Sequence, residues 1–231
     1  MSDLRDGARI PVYIISQNDA PERLVAIWAD AERLGFPIIR VATAANSDDD
    51  GSYMDGQRRA WQRIAQGDAP FAAVLEDNVV LDERLMPLLD RSFLSKALPP
   101  RSVLVLDAKD RHEAERPAAA IVRPNVLPAE CHAYIVSRVA VRHLMELGEG
   151  ETSFADVLAK RRQHGIDTLA VLPPPVTTAS DTPEPDAGGP ARSSLVSRLR
   201  DAVQRISSNN SAPFEPVPVP APEPKVKAAA T

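Results

Sequence analysis

The chain has 231 residues, 44% hydrophobic and 26% charged, with a formal net charge of −5. That length suits one domain with a sizeable core and falls short of two. The acidic balance argues against a protein devoted to nucleic acid. The single cysteine, Cys131, excludes an internal disulfide framework and a cysteine-rich zinc module.

No stretch reaches the roughly 18 consecutive apolar residues a membrane span needs. Met1 to Arg9 is polar and lacks the apolar core of a signal peptide. The expected location is therefore cytoplasmic, with a peripheral contact at the inner membrane face left open.

Pro11 to Ser16 (PVYIIS) is short, apolar and β-branched, the pattern of a buried strand. Asp19 and Pro21 open a helix with an acidic cap and an early proline. Its apolar face is Leu24, Ile27, Trp28, Ala31 and Leu34, and Gly35 ends it. Pro37 to Val41 is a second strand. Ala45 to Gly51 is a loop holding Asp48, Asp49 and Asp50, an acidic loop or a cation holder.

Tyr53 to Ala65 is a helix through Trp61 and Ile64, and Phe71 to Leu75 a third strand ending at Glu76, Asp77 and Asn78. Val79 to Leu81 extends beyond that corner, and Asp82 caps a helix through Leu85, Leu88 and Leu89. Ser102 to Leu106 is a fourth strand, followed by a charged loop, Lys109 to His112. His132 to Val136 is another strand, and Ser137 caps the helix Arg138 to Leu147. A last helix, Ser153 to His164, leads into a strand at Thr168 to Leu172.

The prolines divide the chain. Of 22, about half lie beyond Leu172. Pro173 to Pro190 and Ser211 to Thr231 are too polar and proline-rich to bury a core. Between them, Ala191 to Ser207 places Leu195, Leu199, Ala202, Val203 and Ile206 on one helical face, with four arginines and one acid. The expected organisation is a domain over 9–176 and a disordered, proline-rich tail over 177–231 carrying an amphipathic helix at about 191–207.

Alternating strands and helices predict an α/β fold with a mostly parallel sheet and helices on both faces. Such sheets bind ligands beyond the carboxyl ends of their strands. That rule selects Ser16–Gln17, Ala42–Ala44 and Glu76–Asn78. The last of these interrupts an otherwise apolar run, Ala72 to Leu81. A buried carboxylate is costly unless paired, hydrogen-bonded or metal-bound. Carboxylate and amide oxygens suit Mg²⁺ or Mn²⁺ shared with substrate phosphates. Side chains at i and i+2 of an extended strand share a side, which would aim Glu76 and Asn78 at one point. The other reading is a polar turn in which Asp77 or Asn78 caps.

Several segments in this order resemble glycosyltransferase family 25, the lipopolysaccharide-type glycosyltransferases. They are PVYIISQNDAPERL (11–24), GQRRAWQRI (56–64), VLEDNVVLD (74–82), CHAYIVSRVAVRHLM (131–145), and ETSFADVLA (151–159) followed by LPPPV (172–176). They look like the family's first strand and arginine-bearing helix start, its Ser-His-x-x-x-Trp helix, its Glu-Asp-Asp block, its Ala-Tyr-Leu-Val-Ser-Arg segment, and its closing acidic helix with proline-rich strand end.

The resemblance implies a GT-A-like, Rossmann-like sheet. It also implies inverting transfer of a sugar from a nucleotide donor to a lipopolysaccharide, lipid-linked or other surface saccharide. It places Glu76 and Asn78 at a Mn²⁺ or Mg²⁺ site with Asp77 against the donor. Ser16 and Gln17 would lie against the nucleoside, and Arg23 near the phosphates. It puts Asp156 at the acceptor-side acid, a base for the acceptor hydroxyl. Two departures stand out: the family's Ser-His pair falls on Gly56 and Gln57, and its last acid on Asn78.

The bottom-up readings of these residues are plainer. Arg23 is a phosphate ligand or a solvated helix arginine. Asp156 favours a helix N-terminus. His132 faces a cleft or is a satisfied structural histidine. Cys131 is a buried small apolar residue and Trp61 a core residue. Two functions follow: a glycosyltransferase, or a module of the same fold that binds a nucleotide sugar or a protein partner without turnover.

Overall fold

A computed structural model describes residues 9–16, 21–43, 51–108, 120–124, 131–151, 153–160 and 164–178. Gln17, the Asp48–Asp50 run, the Lys109–His112 loop and the 191–207 helix lie outside the described residues.

The elements in chain order are β1 (Val12–Ser16), α1 (Pro21–Leu34), β2 (Ile38–Ala42), α2 (Gly51–Gln66), β3 (Phe71–Glu76) and β4 (Val79–Leu81). A 3-10 helix (Glu83–Leu89) and α3 (Arg91–Ala97) follow, then β5 (Ser102–Val105), β6 (Ala120–Val122) and β7 (Ala133–Ser137). The described chain closes with α4 (Arg138–Leu147), α5 (Phe154–Lys160), β8 (Asp167–Leu172) and β9 (Val176–Thr178).

Seven strands form one sheet in the order β2-β1-β3-β7-β5-β8-β6. β2, β1, β3, β5 and β8 run one way; β7 and β6 run the other. The sheet is thus α/β and mostly parallel, as the alternation of elements implies. β4 and β9 pair separately as a two-stranded ribbon.

The sheet has a core on each face. Tyr13, Ile15, Val74, Val105 and Tyr134 point to one face and pack with Trp61, Ile64, Val141, Leu144, Phe154 and Leu158 of α2, α4 and α5. Val12, Ile14, Leu75, Leu104 and Ile135 point to the other and pack with Leu24, Ile27, Leu85, Leu89 and Leu94 of α1, the 3-10 helix and α3. Burial on both faces explains why β1 and β3 read as unbroken apolar runs rather than alternating ones.

Local chemistry sets the helix ends. Gly35 adopts φ +73° after α1. Its N–H reaches the Glu32 carbonyl, and the Phe36 N–H reaches that of Ala31, both at 3.1 Å. That left-handed stop is why glycine ends the helix. Ser137 caps α4 by accepting the Ala140 N–H at 3.1 Å, and Asp90 caps α3 by accepting that of Phe93 at 2.8 Å.

Three expectations change. The helix after Asp82 is a 3-10 turn containing Pro87, and a separate short helix, α3, follows it; the ring of Pro87 removes an α-helical donor. β6 and β9 are strands the sequence did not announce. β9 also carries the fold to Thr178, past the expected boundary at 176, by pairing with β4.

Candidate functional site

The chain passes from β1 to β2 on one side, then crosses back over β1 to β3 on the other. α1 and α2, which make these two crossings, lie on opposite faces. The carboxyl ends of β1 and β3 therefore flank a topological switch point, the crevice where open α/β sheets take ligands. In register, Ile15 stands beside Glu76.

Buried polar side chains gather at this edge. Ser16 is 1% exposed, Glu76 6% and Asp77 4%, and Thr43 and Asp107 are buried as well. From β2, the half-buried Arg40 donates its Nε–H to Ser16 Oγ at 2.8 Å. Burial draws the Arg40 pKa down, and the carboxylate of Asp77 pushes it back up. Arg40 and Asp77 are thus an opposed pair beside Ser16.

β7 enters between β3 and β5, antiparallel to both, so its first residues emerge at the same edge. The Glu76 N–H donates to the His132 carbonyl at 2.8 Å. The His132 N–H donates to Asp107 Oδ2 at 2.7 Å, and the ring Nδ1 lies 3.1 Å from the same oxygen. The Cys131 thiol is buried and pushed up by that burial, then by the carboxylates of Asp107 and Glu76. Its reading as a small buried residue holds.

Of the residues singled out from the sequence, the structure brings Ser16, Glu76 and Asp77 to one edge. Glu76 is the last residue of β3, and Asp77 and Asn78 form a turn. The i, i+2 geometry expected for Glu76 and Asn78 ends with the strand, because the chain turns to start β4. Arg23 is exposed in the first turn of α1. Asp156 is exposed at the start of α5, where the Ser153 hydroxyl donates to its Oδ2 at 2.7 Å and its own N–H donates to Ser153 Oγ at 3.1 Å. This is a reciprocal cap of the helix start. His132 is tied to Asp107, with its side chain 18% exposed.

The two departures at 56 and 57 have a structural account. A Cβ on Gly56 would meet Ile15 Cγ2 at 2.5 Å and Thr43 Cγ2 at 2.9 Å. Gln57 is buried, and its Oε1 accepts the Tyr134 hydroxyl, which in turn accepts the Trp61 Nε1–H at 2.8 Å. Both positions belong to the packing of α2 on the sheet.

Two residues at the edge escaped the sequence reading. Arg40 reads only as part of the second strand, although an arginine inside β2 is itself a signal. Asp107 follows the fourth strand directly, and the strand-end rule applied to the first three strands would have selected it.

Among the described residues no three His, Cys, Asp or Glu side chains come together to hold a metal ion. Mg²⁺ is usually held by one or two carboxylates together with substrate phosphates and water, which such an edge provides. The buried Asn78 Oδ1 has no hydrogen-bond partner among the described residues and is a hard-oxygen donor of the right kind. Glu76, Asp77 and Asn78 thus supply oxygen donors of the kind hard cations take, without forming a three-residue site among the described residues.

No family model matches the sequence, and no curated protein matches it. Solved structures are similar to it at low identity. One is a glycosyltransferase involved in the glycosylation of the major capsid of PBCV-1, at 8% identity over 83% of this chain and 99% of that one, with a TM-score of 0.47. Another is the galactosyltransferase LgtC with donor and acceptor sugar analogs, at 9% identity over 88% and 98%, TM-score 0.42. A third is the inositol-1-phosphate CTP transferase from T. maritima, at 10% identity over 84% and 97%, TM-score 0.36. The fold described here rests on the strand order and register of this chain.

Proposed function

We propose that the protein is a nucleotide-sugar-dependent glycosyltransferase of the family 25 kind, acting on a lipopolysaccharide or other surface saccharide. The observation that carries this reading is the set of buried polar side chains, Ser16, Glu76 and Asp77 with Arg40, at the switch point of a mostly parallel sheet.

In this reading the donor lies across the ends of β1 and β3, with Ser16 and Gln17 against the nucleoside and Asp77 against the donor. Arg23, from the first turn of α1, reaches the phosphates. The acceptor hydroxyl oxygen attacks the anomeric carbon. The bond from that carbon to the diphosphate oxygen breaks with inversion, and Asp156 takes the hydroxyl proton. Glu76 and Asn78 would hold a Mn²⁺ or Mg²⁺ ion, which when bound neutralises charge developing on the leaving diphosphate. The location is cytoplasmic, with a peripheral contact at the inner membrane face.

A second reading is a module of the same fold that binds a nucleotide sugar or a protein partner without turnover. Gly56 and Gln57 favour it: both are built into the core and offer nothing to a substrate.

One experiment separates the two. The full chain is titrated with UDP-, GDP-, CDP- and ADP-linked sugars, and its melting temperature is followed, since a ligand selective for the native state raises it. Release of the nucleoside diphosphate with Mn²⁺ or Mg²⁺ is then measured. Binding with release supports the enzyme, binding without release supports the module, and no binding refutes both sugar-nucleotide readings.

A further inference from the structure

We propose that Asp107 is a positioning residue for the donor corner, acting through His132 on Glu76. This rests on the donor-binding reading above and adds a residue to it. His132 is held from two sides. Asp107 Oδ2 takes its backbone N–H at 2.7 Å and faces its ring Nδ1 at 3.1 Å. Its carbonyl in turn takes the Glu76 N–H at 2.8 Å. One carboxylate oxygen thus fixes both the main chain and the ring of the residue to which the Glu76 backbone is tied. Hydrogen bonds to a charged acceptor are stronger than those to a neutral amide, so the acid holds this link more tightly than asparagine would.

The other oxygen, Asp107 Oδ1, is buried with no hydrogen-bond partner among the described residues, and the side chain is only 4% exposed. That oxygen is a cost to folding, because a buried acceptor is left without a described hydrogen-bond partner. The buried Cys131 thiol beside it interacts with this carboxylate, but a thiol is only a weak donor. An acid that carries this cost, set at the edge where sheets of this kind bind ligands, is one that the ligand site uses.

The test compares Asp107→Asn with Ser137→Ala in the full chain. Ser137 lies at the opposite end of β7, where its hydroxyl caps α4 and holds the Ser102 N–H. Its loss lowers stability far from the corner. The probes are UDP-glucose, UDP-galactose, GDP-mannose, CDP-glucose and ADP-glucose, with affinity read by calorimetry and stability by thermal melting.

Asp107→Asn should weaken the donor bound by wild type about tenfold, the weight of one charge-assisted hydrogen bond. Its melting should stay cooperative and fall no further than that of Ser137→Ala. Ser137→Ala should melt lower and bind the donor as wild type does. Unchanged affinity in Asp107→Asn overturns the proposal whatever its melting temperature does, and leaves the donor-binding reading standing. Equal loss of affinity in both variants also overturns it, since binding then only follows stability. If wild type binds none of the five probes, this proposal and the donor-binding reading fall together.

Discussion

Gly56 and Ile15 approach so closely that a Cβ at position 56 would lie 2.5 Å from the Ile15 Cγ2 methyl. α2 therefore rests directly on β1, one residue before the point where β1 pairs with the end of β2 through Ser16 and Ala42. The helix lies low over the sheet at the switch point. A serine here, as in the resembling family, requires the helix to stand further off. Position 56 thus sets how closely α2 packs on β1.

Gly56→Ser should accordingly destabilise the fold by about 1–3 kcal/mol, the usual cost of overpacking a filled core. At roughly 2–4 °C per kcal/mol for a chain of this size, melting should fall by several degrees. Thermal unfolding by circular dichroism checks this; an unchanged or higher melting temperature means that α2 can lift from β1 at no cost.

Tyr134→Phe removes the hydroxyl that accepts from Trp61 and donates to Gln57, leaving two buried polar groups unpartnered. The expected loss is about 2 kcal/mol. The ring should stay in place, because Phe154 stacks on it with centroids 4.5 Å apart.

The buried tyrosines also set an alkaline limit. Burial pushes Tyr134 well above its ordinary value of 10.0, and the nearby Cys131 and Glu76 add to this while the Trp61 N–H opposes it. Burial also raises Tyr13, with Arg63 opposing. A raised folded-state pKa contributes stability that is complete below the unfolded value and lost as pH rises through the folded one. Stability should therefore decline above about pH 10, and less steeply in Tyr134→Phe. Denaturant midpoints at pH 9 and pH 11 test this; equal slopes in the two proteins would rule out Tyr134 as a source.

Some of this was legible in the residues and some was not. β1 and β3 announce themselves as apolar runs because both faces of the sheet are covered, and Gly35 and Ser137 mark helix ends through short-range chemistry. Glu76 to Asn78 stand out because polar residues in such a run need a reason. β6 and β9 are three residues each and exist through pairing with β8 and β4, which no local pattern encodes. The role of Gln57 depends on Tyr134, 77 residues away. Arg40 and Asp107 acquire meaning only when β2, β5 and β7 are set beside one another.

At the corner, Glu76→Gln should weaken donor binding about tenfold while the chain still melts cooperatively. Asn78→Asp adds a carboxylate and should tighten Mn²⁺ binding, since ligand charge governs affinity for hard cations. Calorimetry with Mn²⁺ alone and with UDP-glucose reads both. A Glu76→Gln protein that melts far lower yet binds donor normally would make Glu76 a structural acid, and weaker Mn²⁺ binding by Asn78→Asp would remove Asn78 from the cation site.

Residues 1–178 should fold without the remainder of the chain. Both core clusters are built from residues between Ile10 and Val176, and β9 ends at Thr178. The truncated chain should be soluble and melt in one transition close to that of the full chain. A broad or strongly lowered melt would show that later residues complete the core.

The segment 191–207 lies outside the described residues. It carries Arg192, Arg198, Arg200 and Arg205 against the single acid Asp201, and its apolar residues recur at three- and four-residue spacing. A helix of this composition can lie in a membrane interface, with leucine and valine at the acyl boundary and arginine near anionic head groups. Among the described residues no helix is long and apolar enough to cross a membrane. An acceptor built on lipid gives that contact a purpose, and the flanking prolines would hold the helix at a distance from the domain. The full chain should therefore sediment with phosphatidylglycerol vesicles, residues 1–178 should remain in the supernatant, and added salt should release the full chain by screening the arginines. Equal partitioning of the two chains, or binding indifferent to salt, would refute a membrane role for this segment and leave docking on the domain as its use.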